Sequence, residues 1–580
     1  DDVSTRPWTA PPDFDWNSIY GRFLQGKENE RQRDYTKAEE AFQSCLSSDT
    51  NFAPALVEAA ALANRRADYT RALEYSRRAL SIDTYDPAGN YQFALASAAL
   101  GHHTDARDGF SIAALSIEKR SGATTELAKE FLREREYERA LSSAEESLRY
   151  NSLNVEALEL QAVSSRLLNR KTEAAKILKR LLEIDPLNHF ARIEKYLAGR
   201  GSRDEVGSLI RSELPQETYL ELAVWYHGIE RDGDAAKVLE LAPPTAEVLY
   251  WQAYLRREPG LLARAEAASC EFAFPFRRES IPVFEWADQQ RPSWQPKYFL
   301  ALIRWSQGEL EQAKGLLTAC GNLPRFAPFY AARAQLTGDV ADLETASRMD
   351  PGQWRYSAML IREQLTRGKP SAASALAGEA AARFPENGVI TVLEVKTLVA
   401  TKDYRTAAMV LEQLNLLPCE GSTEAHALFR ETHLALSAAH LRAGDYTAAL
   451  AQLRIARQWP ERLGSGKPYP EDLDERLDDW LENRCLVKLG RNDEASAALE
   501  RVLASASNSR AKGVGTIAEA LALDRSNRHA EASDILERWA REQPASGLPE
   551  WGLGLVSGRN AGEPGGRQSV ELDCLAASLQ

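Results

Sequence analysis

Asp34-Tyr35-Thr36-Lys37-Ala38, Asp68-Tyr69-Thr70-Arg71-Ala72 and Glu136-Tyr137-Glu138-Arg139-Ala140 are one pattern written three times. Their alanines belong to a longer column, Ala38, Ala72, Ala106, Ala140 and Ala174, whose members stand 34 residues apart. Twelve residues before each lies another small residue: Gly26, Ala60, Ala94, Ala128 and Ala162. Eight residues after each comes Leu46, Leu80, Ala114, Leu148 or Leu182. Three columns held in phase over five periods predict stacked helix–turn–helix units, because a period of this length marks one supersecondary element repeated. The Gly26 column falls where the two antiparallel helices of a unit approach most closely, which only a small side chain permits. The Ala38 column opens the second helix and meets the same seam. Asp49, Asp83 and Asp185 are expected to end second helices. Pro54, Pro87 and Pro186 follow them, and proline opens a helix but cannot continue one. Units are thus expected at 19–52, 53–86, 87–120, 121–154 and 155–188.

Beyond about residue 200 the pattern weakens. It returns around Ala313, Ala407, Ala449 and Ala495, each preceded by a turn such as Gly308-Glu309-Leu310 or Gly444-Asp445-Tyr446, and faintly around Ala532. The period-two alternation of strands is nowhere sustained. The expected fold is an all-α solenoid of helix pairs, an α/α superhelix, from about 17 to 545. Its organisation reads as a linker at 1–18, five regular units at 19–200, irregular aromatic-rich helical repeats at 201–360, further repeats at 361–545 and a cap or tail at 546–580. The Gly-rich stretch from Gly562 to Arg567 suits a frayed end or a cap.

The period and the columns resemble the tetratricopeptide repeat (TPR). A narrower resemblance rests on Ser81-Ile82-Asp83-Thr84-Tyr85-Asp86, Asp185-Pro186-Leu187-Asn188-His189-Phe190, Phe274-Pro275-Phe276-Arg277-Arg278-Glu279 and the segment from Trp459 to Pro468. These look like the C-terminal TPR half of large bacterial proteins with an N-terminal galactose-mutarotase-like domain. The resemblance implies a carbohydrate-related setting and an adjacent upstream domain, and it brings no catalytic residue with it. The opening Asp1-Asp2 and the run Arg6-Pro7-Trp8-Thr9-Ala10-Pro11-Pro12 read as a linker in a piece of something longer.

Composition narrows the function classes. Lys+Arg 71 against Asp+Glu 84 gives a net charge of −13, which disfavours nucleic-acid and anionic-membrane partners. No run approaches a membrane-spanning length and no secretory signal pattern is present. The chain reads as soluble, either cytoplasmic or exported after processing. Cys45, Cys270, Cys320, Cys419, Cys485 and Cys574 are too scattered for a metal-ligand spacing, so no metal is expected and most are read as buried thiols. No cofactor is expected.

Candidate chemistry is sparse. Leu463-Gly464-Ser465-Gly466-Lys467-Pro468 looks briefly like a phosphate loop, but Glu461 stands where the first glycine belongs and Pro468 where Ser or Thr belongs, so it reads as an inter-helix loop. His426, His433 and His440 share one helix face but lie about 10 Å apart in sequence, too far to hold one metal, and read as packing. Two acids would suffice for glycoside hydrolysis, yet so many solvated carboxylates nominate none. The chaperone-tail clamp of TPR proteins needs Lys and Asn where this chain has Phe23 and Lys27, so that partner is not expected.

Two binding regions are nominated. Positions two, five, nine and twelve of a TPR first helix face the concave groove, which nominates Tyr20, Lys27, Glu30, Asn64, Tyr91, Thr125, Lys129 and Arg166. The aromatic middle nominates Phe276, Arg277, Trp286, Trp294, Tyr298, Trp354 and Arg355, because Trp, Tyr and Arg dominate binding hot spots. Arg277 is expected at or just before a helix start, where the dipole does not favour a cation, and therefore to have a specific partner such as Glu279, Glu285 or an acid on another domain. The expected function is a non-catalytic scaffold that binds a protein partner, the upstream domain, a glycan or a second copy of the chain. The alternative is part of a glycan-active hydrolase or lyase whose groove contributes substrate-binding residues.

Overall fold

The computed structural model describes residues 10–11, 13–419, 421–506, 512–558 and 569–579. Most of the expected linker and all of the 562–567 stretch lie outside the described residues. Among the described residues there are 33 α-helices and no β-strand, and consecutive helices pack as antiparallel pairs. The all-α solenoid expected from the columns is the observed fold. The chain divides into two compact units, one up to Pro324 and one from Arg325.

The first unit opens with five pairs: Ile19–Arg31 with Tyr35–Ser48, Ala53–Arg65 with Tyr69–Ile82, Pro87–Ala99 with His103–Ala113, Ile117–Arg133 with Tyr137–Tyr150, and Val155–Leu167 with Lys171–Ile184. Each first helix stops the same way. Arg33, Ala67, Gly101, Arg135 and Asn169, again 34 apart, all have φ between 49° and 78° and turn the chain back on itself. Asp34 and Asp68 then cap the second helices, accepting from Lys37 N at 3.1 Å and Arg71 N at 3.2 Å. Asp49, Asp83 and Asp185 are C-caps, as expected. Pro54 and Pro87 sit in the first turns of helices. Pro186 instead lies in the turn before His189–Leu197.

The small-residue columns form the seams. Ala60, Ala94, Ala128, Ala162, Ala38, Ala72, Ala106 and Ala140 are fully buried, and a Cβ on Gly26 would stand 2.5 Å from the Phe42 ring. At the third pair the helices are so close that a Cβ on Gly109 would meet that of Ala94 at 2.9 Å. Ala94→Leu is therefore expected to destabilise the first unit by about 1–3 kcal/mol through overpacking. Thermal unfolding followed by circular dichroism checks this, and an unchanged melting curve would contradict the seam.

After residue 188 the pairs lose regularity. His189–Leu197 is 9 residues long and is followed by Arg203–Gly207, of only 5. The remaining helices of this unit enclose an aromatic core, with Tyr226, Tyr250, Trp251, Phe284 and Phe299 fully buried and Tyr250 meeting Phe284 and Phe299 edge to face.

The second unit continues with pairs such as Gly388–Ala400 with Tyr404–Gln413, Glu424–Arg442 with Tyr446–Ala456, Arg476–Lys488 with Asn492–Ala506 and Val514–Arg525 with His529–Glu542. Its last helix, Val570–Leu579, is no frayed end. Leu572, Cys574, Leu575 and Ala577 are buried, and the helix packs against Glu424–Arg442, Arg476–Lys488 and Val514–Arg525, the first helices of three consecutive pairs.

Candidate functional site

The nominated wall in the first unit is a ladder of polar contacts between neighbouring first helices. Lys27 sits 2.6 Å from Glu30 and 2.9 Å from Glu58. Asn64 Nδ2 donates to Gln92 O at 2.9 Å and to Gln92 Oε1 at 3.0 Å. Lys129 sits 2.9 Å from Glu126 and 2.6 Å from Glu156. Burial works against the Lys129 charge, but these two carboxylates outweigh it and hold its pKa above the usual lysine value. Arg166 pairs with Glu194 and, at 2.9 Å, with Asp234, while Tyr226 Oη donates to Glu194 at 2.5 Å. The charges nominated as a groove for ligands thus have partners within the chain.

Position five is buried or half-buried. Thr125 is 3% exposed, and its hydroxyl lies 2.9 Å from Ser147 Oγ and 3.0 Å from Asn154 Nδ2. Tyr91 packs edge-on to Phe110 at 5.7 Å, and its hydroxyl is pushed up to about 12 by burial, with Glu126 adding to the shift. Glu159, one period further on from Thr125, is pushed up to about 7 by burial. Thr125 thus turns to its own second helix and to the cap of the next first helix rather than to an open wall, while Tyr91 is half-buried against Phe110. Tyr20, by contrast, is 57% exposed.

The aromatic middle is mostly packing. Tyr298 is buried, Trp286 meets Tyr254 at 5.8 Å and Trp294 meets Tyr298 at 6.2 Å. Trp354 and Arg355 belong to the second unit, where Trp354 packs on Ala358 and its neighbours and Arg355 lies over the Trp354 ring at 4.7 Å. Phe276 remains 56% exposed beneath the Arg277 guanidinium, 4.5 Å from its ring. Arg277 precedes a short 3-10 turn, as expected, but its partners are not Glu279 or Glu285. Its Nη1 lies 2.5 Å from Glu217, its Nε 3.1 Å from Glu221, and its Nη2 donates to Glu217 O at 3.1 Å. The next residue, Arg278, donates to Arg66 O and lies over Tyr69 at 6.0 Å, so this segment returns to the turn of the second pair.

The most telling arrangement escaped sequence reasoning. In the second unit the Val570–Leu579 helix lies across a wall of first helices with its acids on arginines. Glu571 meets Arg430 at 2.5 Å and Asp573 meets Arg442. Its apolar side enters the core, where the Cys574 thiol donates to Leu434 O at 3.0 Å and Trp480 Nε1 donates to Ser578 Oγ at 3.2 Å. Arg430 also holds the buried Asp478 at 2.8 Å. No spacing in the sequence links residues 430 and 571. The same row of first helices borders a groove of about 850 Å³, lined by residues including Val389, Val392, Lys396, Leu416 and Glu424.

The remaining motifs are structural. His426 stacks on Trp459 at 3.4 Å, His433 Nδ1 lies 2.7 Å from Gln452 Oε1, and burial lowers the pKa of both. His440 Nδ1 lies 3.8 Å from Asp445. In the 463–468 loop Ser465 Oγ donates to Ser422 O at 2.5 Å, so its hydroxyl braces another loop. All six cysteines are unbridged, and Cys419 is the exposed one. Among the described residues no group of three or more His, Cys, Asp or Glu could hold a metal, and no helix is long and apolar enough to cross a membrane.

No curated protein matches the chain. Similar solved structures include a tetratricopeptide repeat protein from Parabacteroides merdae, at 15% identity over 50% of this chain and 99% of that one, with a TM-score of 0.30. MamA is similar at 17% identity over 29% of this chain and 92% of that one, TM-score 0.26. YrrB, described as a TPR protein with an unusual peptide-binding site, is similar at 16% identity over 40% and 100%, TM-score 0.24. The family model described as tetratricopeptide repeat matches residues 125–189, which include the fifth pair and most of the fourth. Residues 125–189 thus match the tetratricopeptide repeat, and they sit within a longer run of stacked helix pairs.

Proposed function

We infer that this chain is a non-catalytic scaffold whose rows of first helices bind helical segments of partner proteins. The observation that carries the reading is the Val570–Leu579 helix, an amphipathic acidic segment seated across three first helices with its carboxylates on Arg430 and Arg442. Helix-in-groove recognition uses this chemistry, an apolar face for affinity and flanking charges for register. The test introduces a protease site between Gly558 and Ser569 and then adds a labelled peptide of residues 569–580. The peptide is expected to exchange into the cleaved chain, seen as a rise in fluorescence anisotropy, and not into the uncleaved one. The same peptide carrying Glu571→Lys and Asp573→Lys should fail to exchange. Equal uptake of both peptides, or no exchange, would remove the reading.

The carbohydrate-related setting and the upstream mutarotase-like domain rest on the resemblance of the four quoted segments. Calorimetric titration with oligosaccharides and with such a domain tests them. Turnover of an oligosaccharide that survives purification and disappears with one groove carboxylate would replace the scaffold with the hydrolase or lyase alternative.

A further inference from the structure

A second helix is cut short after the fifth pair, and a groove lies beside it. The second helices of the first five pairs have 14, 14, 11, 14 and 14 residues, whereas Arg203–Gly207 has 5. At 1.5 Å per residue this is about 7–8 Å of helix in place of about 21 Å. Along Lys171–Ile184 and His189–Leu197, the two helices that a full-length sixth second helix would pack on, runs a groove of about 440 Å³.

Its floor is apolar and low, made by Ala175, Leu178, Leu182, Ala191 and Ala198. Ala175 stands one period after Leu141 and two after Arg107, and there a bulky side chain would reduce the space. Small residues let a helix backbone approach closely. The rim is cationic: Lys171 and Lys179 on one side, Lys195 and Arg200 on the other, with Glu183 the one acid among the lining residues. Glu183 lies 3.6 Å from Lys179, and Glu205 lies 2.6 Å from Lys195. In a chain of net charge −13 this is a local reversal of sign.

We propose that this groove receives an amphipathic α-helix of a partner protein, with an apolar face of alanine and leucine and acidic residues on its flanks. The site is separate from the wall occupied by Val570–Leu579 and does not depend on that helix being displaceable. The charge of the rim selects the occupant. A basic helix would meet like charges, and an uncharged apolar molecule would leave the rim unused. Lys171 and Lys179 are eight residues apart, about 12 Å along the helix, so the matching acids on the partner are expected seven or eight residues apart.

The probe is a labelled peptide of about 14 residues, the length of the regular second helices, with Ala and Leu on one face and Glu on both flanks. Controls are the same peptide with Lys for Glu and a scrambled sequence of equal composition. The full chain is expected to bind the Glu peptide at least about tenfold more tightly than either control, with affinity falling as salt is raised. Ala175→Arg, which fills the floor, should weaken binding at least about tenfold with the melting curve unchanged. Lys171→Glu with Lys179→Glu, both at exposed positions, should reverse the preference between the Glu and Lys peptides whether or not the first variant folds. Equal binding of the three peptides, or binding unaltered in both variants, overturns the proposal. Self-association of the full chain in sedimentation, abolished by Ala175→Arg, would also overturn it by making a second copy the occupant.

Discussion

Arg166→Ala is expected to destabilise the first unit by about 3–5 kcal/mol, the cost of removing one partner from a buried ionic cluster. Glu194 is 0% exposed and Asp234 is 4% exposed, and both lean on the same guanidinium. Without it the buried Glu194 loses its cation, and Asp234 keeps only Arg231, whose Nε lies 3.4 Å away. Tyr226 Oη still donates to Glu194, but a neutral hydroxyl does not balance its charge. Arg166→Lys should recover only part of the loss, because one ammonium cannot reproduce the fork that reaches both acids. Chemical denaturation of the three proteins measures the effect. A midpoint for Arg166→Ala equal to that of the parent would return Arg166 to the pool of residues free to bind a ligand. Tyr20, exposed and without such a duty, is the better wall residue for a binding test.

Glu247→Gln is expected to stabilise the protein at pH 8 and to leave it nearly unchanged at pH 4. Glu247 is 2% exposed, and burial pushes its carboxyl up to about 7 from 4.5, with the Glu217 charge adding and Arg277 opposing. A carboxyl whose pKa is higher folded than unfolded holds its proton longer in the folded state. The stability that this proton confers is full below about pH 4.5 and is lost as pH rises through about 7. Each pH unit of the shift is worth 1.36 kcal/mol, so the loss approaches about 3 kcal/mol. Glutamine keeps an oxygen for Ser280, whose hydroxyl donates to Glu247 at 3.1 Å and accepts from Trp251 Nε1 at 3.0 Å. The parent should therefore melt at progressively lower temperature than Glu247→Gln as pH is raised from 4.5 to 8. Parallel pH profiles would show that folding does not raise the pKa of Glu247.

The legible and illegible parts divide along a physical line. The seam alanines were readable because each pair of helices repeats the same close approach, so Ala38 and Ala94 have equivalents one period away. The turns were readable only in part. Gly101 and Asn169 are residue types that favour a left-handed turn, but Arg33, Ala67 and Arg135 adopt the same conformation without a sequence signal. Arg277 was placed correctly before a helical turn and with a need for acids, yet Glu217 and Glu221 lie 60 and 56 residues earlier and no period connects them. Trp286, Trp294 and Tyr298 could not be sorted into core or surface by composition, because both uses favour large aromatic side chains.

By itself the sequence determined the helix-pair period, the seams and the all-α solenoid. Those depend on local capping and on neighbours a fixed distance away, and the repeat prints that distance five times. Only the tertiary structure decided which charges remain available. Lys129 reaches Glu156 on the next first helix, Arg166 reaches Asp234, and Arg430 reaches Glu571, 141 residues on. An ion pair forms wherever stacking brings opposite charges within a few ångströms. Stacking accumulates over several pairs, so the partner's position along the chain carries no mark of it.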